Sequence, residues 1–129
     1  QLENILHPII WSEVQSQLRL LTTSESAIPP YCIVVVPLLV ENLSRLKPVT
    51  FDRILVIDTP EELQLERAKK RDNSSESNIK RIMQTQVTRQ ARIDAADDIV
   101  YNLEDINSLK TQVEMLHKQY IAKGSNHSI

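Results

Sequence analysis

The chain has 129 residues, 41% of them hydrophobic and 25% charged, with a formal net charge of -2 and a pI near 5.9. That length suits one core with a satellite and is too short for two full domains, and the charge excludes a dedicated nucleic-acid or membrane-surface binder, whose footprint would be strongly basic. Any anion site must therefore be local. Cys32 is the only cysteine, which excludes an intramolecular disulfide and fits a reducing, cytoplasmic setting. Within its apolar run it reads as a small core hydrophobe. No run approaches ~18 apolar residues and no charged-then-apolar leader opens the chain, so neither a transmembrane helix nor a signal peptide is expected. The chain opens at Gln1 without a methionine, and we expect residues to precede it.

In chain order, a helical-looking Leu2-Glu3-Asn4-Ile5-Leu6 leads to Pro8, which suits a first helical turn because its missing N–H would be unpaired there. Ile10, Val14, Leu18 and Leu21 then recur at helical spacing, predicting an amphipathic helix packed on something. Thr22 to Pro30 is a connection. Tyr31 to Val36 is a continuous β-branched run that predicts a strand buried on both faces, the habit of parallel sheets in α/β folds. It ends in Pro37-Leu38-Leu39-Val40 and then presents Glu41 and Asn42, at the strand end where an open α/β sheet binds its ligand. A second strand, Ile54 to Ile57, ends in Asp58, followed by Thr59 as N-cap, Pro60 at the first helical position and Glu62 closing a capping box. That helix should run to about Lys70 or Arg71. Asp72-Asn73-Ser74-Ser75 breaks it. A polar helical segment from Glu76 towards Ala95 follows, with a narrow apolar stripe of Ile79, Ile82, Met83 and Val87 that predicts light packing and mobility. Ile99-Val100-Tyr101 is a third strand. Asp105 caps a last helix whose Leu109, Val113, Leu116 and Tyr120 face the core and which Gly124 stops in the C′ position, leaving a frayed tail from Ser125 to Ile129.

The charged chemistry concentrates between the second and third strands. Arg67 and Arg71 share one helix face, where like charges repel. Solvent and a neighbouring Glu66–Lys70 pair could offset that, or an anion such as a polyphosphate, whose oxygens guanidinium forks bind bidentately. Arg81, Arg89 and Arg92 continue the basic theme, and a mobile arginine-bearing lid is what phosphoryl transfer asks of a protein. Such sites usually also use a Gly-rich loop, yet Gly124 is the only glycine. A structural zinc site has no support in the His/Cys spacing.

These residues carry a resemblance. Leu6-His7-Pro8, Val36-Pro37-Leu38-Leu39-Val40-Glu41-Asn42, Gln64-Leu65-Glu66-Arg67 with Arg71-Asp72, then Gln86, Arg89 and Arg92, and Ala96-Asp97-Asp98 with Asn102, in this order and spacing, resemble the C-terminal part of the bacterial dephospho-CoA kinase family. The resemblance implies an α/β, P-loop NTPase-like three-layer parallel sheet with helices on both faces and a helical lid, the first strands of the fold being absent from this chain. It implies transfer of the γ-phosphate of ATP to the ribose 3′-hydroxyl of dephospho-CoA, with Mg²⁺. His7, Pro37, Leu38, Leu39 and Glu41 would form acceptor-side surfaces, Glu41 as a polar contact or anchor. Arg67 and Arg71 would act catalytically on ATP phosphates, with Gln86, Arg89 and Arg92 in the lid pattern and Asn102 approaching the adenine. His117 and His127 match nothing and are expected at the surface. The division implied is 1–58 for acceptor helix and core strands, 59–96 for the lid, and 97–129 for the last core strand and C-terminal helix. The family's Gly-rich loop with its Lys and Ser, and the strand bearing its catalytic Asp, would precede Gln1, and Leu103 and Glu104 stand where the family has a glycine. The isolated chain is therefore expected to be inactive, with the N-terminal segment or a second copy as candidate partners for its strands. A fragment of another P-loop nucleotide or metabolite kinase, or a non-catalytic helical interaction module, are the alternatives.

Overall fold

The computed structural model describes residues 2–23, 27–43, 51–103 and 105–125. Among them the elements are α1 (Leu2–Thr23), α2 (Leu39–Asn42), β1 (Leu55–Asp58), α3 (Glu61–Asp72), α4 (Glu76–Gln84), α5 (Arg89–Ala95), β2 (Asp98–Tyr101) and α6 (Ile106–Ser125). The fold is mixed α/β. β1 and β2 pair in parallel, Val56 opposite Ile99 and Asp58 opposite Tyr101, and α3, α4 and α5 make the crossover that a parallel pair requires. Alternation along a strand puts Val56 and Asp58 on one face and Asp98 and Val100 on the other. Arg89 of α5 bonds to Asp58 on the first face and Tyr120 of α6 to Asp98 on the second, so the two helices approach opposite sides. Among the described residues Val56, Ile79 and Val100 are the buried hydrophobic ones, a small core for so many helices.

The amino end of the sheet is latched by charge. Asp98 accepts two bonds from Arg53, Nε to Oδ2 at 2.7 Å and Nη2 to Oδ1 at 2.8 Å, and a third from the Tyr120 hydroxyl at 2.7 Å. The adjoining Asp97 Oδ2 accepts from the Ile54 N–H at 2.7 Å. Arg53 holds the Asp98 carboxyl below the usual carboxylate range against the opposing effect of burial, and burial together with Asp98 pushes the Tyr120 phenol up to about 12. On the outer edge of β2, the Gln112 side chain substitutes for a strand: its Oε1 accepts from Tyr101 N–H at 2.8 Å and its Nε2 donates to Tyr101 C=O at 2.9 Å. Among the described residues, the far edge of β1 has no strand beside it.

Several expectations need correction. Tyr31–Val36 is not a strand: it is unpaired, Cys32 is exposed, and Ile33 and Val35 are 65% and 85% exposed. A β-branched run specifies propensity, but a strand needs a hydrogen-bonded neighbour, and none stands beside this segment among the described residues. The segment is held by α6 instead. Tyr31 packs edge-on against His117 and Tyr120, with ring centroids 5.7 and 5.4 Å apart, and its hydroxyl is hydrogen-bonded with His117 Nδ1. That close approach explains Gly124, which lies within α6 without a positive φ rather than beyond its end, and on which a Cβ would overlap the Pro30 carbonyl oxygen.

Pro8 lies inside α1, whose apolar spacing continues on both sides of it, so the helix tolerates one missing hydrogen bond. α1 places Trp11 edge-on to Phe51 at 6.3 Å and keeps Val14 and Leu18 half-buried, while Ile10 and Leu21 remain exposed. The capping box at Thr59 does not form; the Thr59 hydroxyl donates to the Asn102 carbonyl at 3.4 Å, and Pro60 takes the cap position without a side-chain bond. The segment from Glu76 to Ala95 is two helices. It breaks where Thr88 caps α5, its hydroxyl accepting from Ala91 N–H at 3.1 Å. Ile79 of its stripe is buried, Met83 and Val87 are half-buried, and Ile82 is exposed. Asp105 does cap α6, accepting from Ser108 N–H at 2.9 Å, although Val113 on the expected core face is exposed. His117 is at the surface as expected, while His127, Glu104 and the tail from residue 126 lie outside the described residues.

Gly124→Ala sets two effects against each other. Helix propensity favours Ala by about 1 kcal/mol, whereas overlap with a backbone oxygen costs about 1–3 kcal/mol. Tm should therefore fall, with the Tyr31 ring resonances losing their His117 and Tyr120 ring-current shifts in the proton NMR spectrum; a raised Tm would show that the 27–36 segment is held differently.

Candidate functional site

The carboxyl end of the sheet gathers what the sequence scatters. Asp58, the last residue of β1, is 4% exposed and accepts two bonds from Arg89, Nε to Oδ1 at 2.8 Å and Nη2 to Oδ2 at 2.7 Å. A carboxylate this deep in the fold needs such a partner, and α5, packed against β1, supplies it. The Arg89 fork holds the Asp58 carboxyl below its ordinary range, burial opposes that, and the nearby Arg92 adds to the lowering. Beside it the chain leaves β2 at Asn102, whose N–H donates to Asp58 C=O at 2.8 Å. Its own C=O accepts from Arg67 Nη1 at 3.1 Å and from the Thr59 hydroxyl.

The loop between α4 and α5 is pinned at Val87. Its N–H donates to Glu41 Oε1 at 3.2 Å and its C=O accepts from Arg92 Nη1 at 2.9 Å. Glu41 belongs to α2, which packs on α5. The turn before α2 carries Leu38 in the left-handed region at φ 57°, an uncommon conformation for a non-glycine residue, and Asn42 Nδ2 donates to the Leu38 carbonyl at 2.9 Å.

Arg89 and the Asn102 peptide thus meet Asp58 directly and Arg92 lies near it, while Arg67 joins through the Asn102 carbonyl and Glu41 through Val87. Each of the three arginines spends part of its guanidinium on the protein and keeps further donors, a pre-organised positive cluster at a sheet end. Arg71 is elsewhere: it pairs with its neighbour Asp72 at 2.6 Å on the solvent side of α3. The like-charge repulsion expected between Arg67 and Arg71 is relieved by these separate partners, beside the expected Glu66–Lys70 pair at 2.8 Å. Gln86 is half-buried in the pinned loop, its N–H donating to Met83 C=O at 3.2 Å. Pro37 and Leu38 are exposed at the turn and Leu39 opens α2 half-buried. His7 is half-buried on α1, and no hydrogen bond among the described residues ties it to the arginine cluster.

Sequence reasoning missed Asp58 and the peptide of Val87 as parts of this site. A lone acidic residue closing an apolar strand was the available signal for Asp58. A backbone group leaves none. Among the described residues no group of three His, Cys, Asp or Glu side chains is placed to hold a metal ion. No helix described is long and apolar enough to cross a membrane.

The Asp58 and Asp98 carboxyls, both held below the unfolded value of about 3.9, contribute stability that is present above that pH and lost as pH falls through their lowered folded values. Asp58→Asn should lower stability at pH 7 by about 1–3 kcal/mol and flatten the acid limb of a Tm-against-pH curve below about pH 4. An unchanged acid limb would mean the Asp58–Arg89 pair does not form in solution.

Comparison with known proteins follows the same lines. The family model described as dephospho-CoA kinase matches residues 1–108. Relatives named dephospho-CoA kinase include one from Idiomarina loihiensis, 43% identical across 94% of this chain and 55% of the relative, and one from Coxiella burnetii, 40% identical across 93% and 56%. A third, from Nitrosomonas europaea, is 40% identical across 100% of this chain and 60% of its own length. The chain spans little more than half the length of the curated relatives it matches. With arginines gathered at a parallel sheet end and a family match covering most of its residues, the chain belongs to the dephospho-CoA kinase family.

Proposed function

We propose that this chain supplies the acceptor side and the arginine-bearing lid, residues 59–96, of an ATP-dependent kinase that phosphorylates the ribose 3′-hydroxyl of dephospho-CoA in coenzyme A synthesis. The observation that carries it is the convergence of Arg67, Arg89 and Arg92 at the carboxyl end of a parallel sheet, beside the Pro37–Glu41 turn. Such an edge is where open α/β sheets take their ligands. Phosphoryl transfer requires mainly positioning and positive charge around the transferred group, which these guanidinium groups would provide to the ATP phosphates. Arg71 would join them on giving up Asp72, and Gln86 lies in the pinned loop beside Val87. Asn102, next to Arg67, would face the adenine. His7, Pro37, Leu38 and Leu39 would line the acceptor surface.

The sequence contains one glycine and therefore no Gly-rich phosphate loop, and Mg²⁺, held mainly by the phosphates themselves, would offset their charge. We therefore read the P-loop-like, three-layer fold as completed by residues outside this sequence, and this chain alone as inactive. The edge of β1 that has no strand beside it among the described residues, with Ile57 54% exposed, would receive the missing strand, either from that segment or from a second copy. Sedimentation velocity should show self-association of the isolated chain that a β1-edge substitution, Ile57→Lys, abolishes; a strictly monomeric chain would leave the absent segment as the partner.

Calorimetry of the chain with dephospho-CoA and with ATP tests the reading. Dephospho-CoA should bind the more tightly of the two, because its surfaces are present and the phosphate cradle is not. In the same measurement Arg67→Ala should weaken ATP binding by about tenfold, the usual size of one charged contact, with Arg71→Ala weaker in effect because of its pairing to Asp72. Tight ATP binding, or no preference for dephospho-CoA, would overturn the assignment.

A further inference from the structure

The Glu41 carboxylate accepts from the Val87 N–H at 3.2 Å, and no ion pair joins it to an arginine among the described residues. The other side of that residue is taken by Arg92, whose Nη1 donates to the Val87 C=O at 2.9 Å. Thr88 comes next and caps α5, and Arg89 follows, locked to Asp58. Val87 is therefore the junction through which the start of α5, and with it Arg89 and Arg92, is set. The residue that sets it from outside belongs to α2, at the end of the turn with left-handed Leu38.

We infer that Glu41 is a positioning residue that couples the Pro37–Glu41 turn to the α5 arginines through the Val87 peptide, so that whatever settles on the turn also orients Arg89 and Arg92. The inference rests on the phosphate reading of the arginine cluster given above. It has a distinctive electrostatic signature. An acid next to a cationic anion site weakens anion binding by simple charge, so removing it should strengthen binding whatever replaces it. If Glu41 acts instead by fixing Val87, the outcome depends on whether the replacement still presents an oxygen at the same reach. Gln does, Ala does not, and Asp keeps the charge but is one methylene short.

The test uses the isotope-labelled chain and inorganic tripolyphosphate, followed by NMR. In Glu41→Gln the Val87 amide should stay protected from hydrogen exchange and tripolyphosphate affinity should equal or exceed that of the parent. In Glu41→Ala the Val87 amide should exchange at least about tenfold faster and affinity should fall by about three- to tenfold, as expected when a backbone bond and the order it imposes are lost. Glu41→Asp should follow Glu41→Ala, which also answers the case in which the Ala variant fails to fold. Equal affinities in the Gln and Asp variants, or a protected Val87 amide in the Asp variant, would overturn the coupling alone. Failure of the unsubstituted chain to bind tripolyphosphate would overturn the phosphate reading and the coupling with it.

Discussion

The carboxylate of Asp58 is the constraint around which this structure is arranged. A nearly water-free acid at the end of a strand is costly unless a cation meets it with good geometry, and the two-pronged bond from Arg89 meets that requirement. To deliver Arg89 there, the chain must end α4, turn at Thr85–Thr88 and start a new short helix across the face of β1. The break that splits the segment from Glu76 to Ala95 is thus a consequence of burying one acid. Arg92 follows Arg89 by about one helical turn, and its guanidinium reaches back past the start of α5 to the Val87 carbonyl.

The two ends of the sheet use the same chemistry for different purposes. At the amino end, Arg53, Asp97, Asp98 and Tyr120 satisfy one another closely: Asp98 accepts three bonds and the phenol is pushed up to about 12. Such a cluster holds strands and α6 together and has little left to offer a ligand. At the carboxyl end each arginine is anchored on one side only, to Asp58, to the Asn102 carbonyl or to the Val87 carbonyl. A partly committed guanidinium is fixed in direction and still has donors for an anion, which is the condition for pre-organised binding of phosphate.

Much of the local structure is legible in residue order alone: two apolar strands with an intervening charged helix, the Asn73 break, the Asp105 cap and the family, since each depends on neighbours within a few residues or on a pattern of side-chain types. Residue order also marks Arg67, Arg89, Arg92, Glu41 and Asn102, which folding brings to one place. Long-range contacts settle the rest. Tyr31–Val36 has strand composition but no partner to pair with; Thr59 has a capping hydroxyl that turns to Asn102 instead; and Gly124 is there for the close passage of Pro30, not to end a helix. Arg71 is indistinguishable from Arg67 by spacing, yet Arg67 reaches the distant Asn102 carbonyl while Arg71 stays with the adjacent Asp72. In most of these cases the deciding contact lies far away in sequence or belongs to a backbone group, and neither leaves a mark in the order of residues.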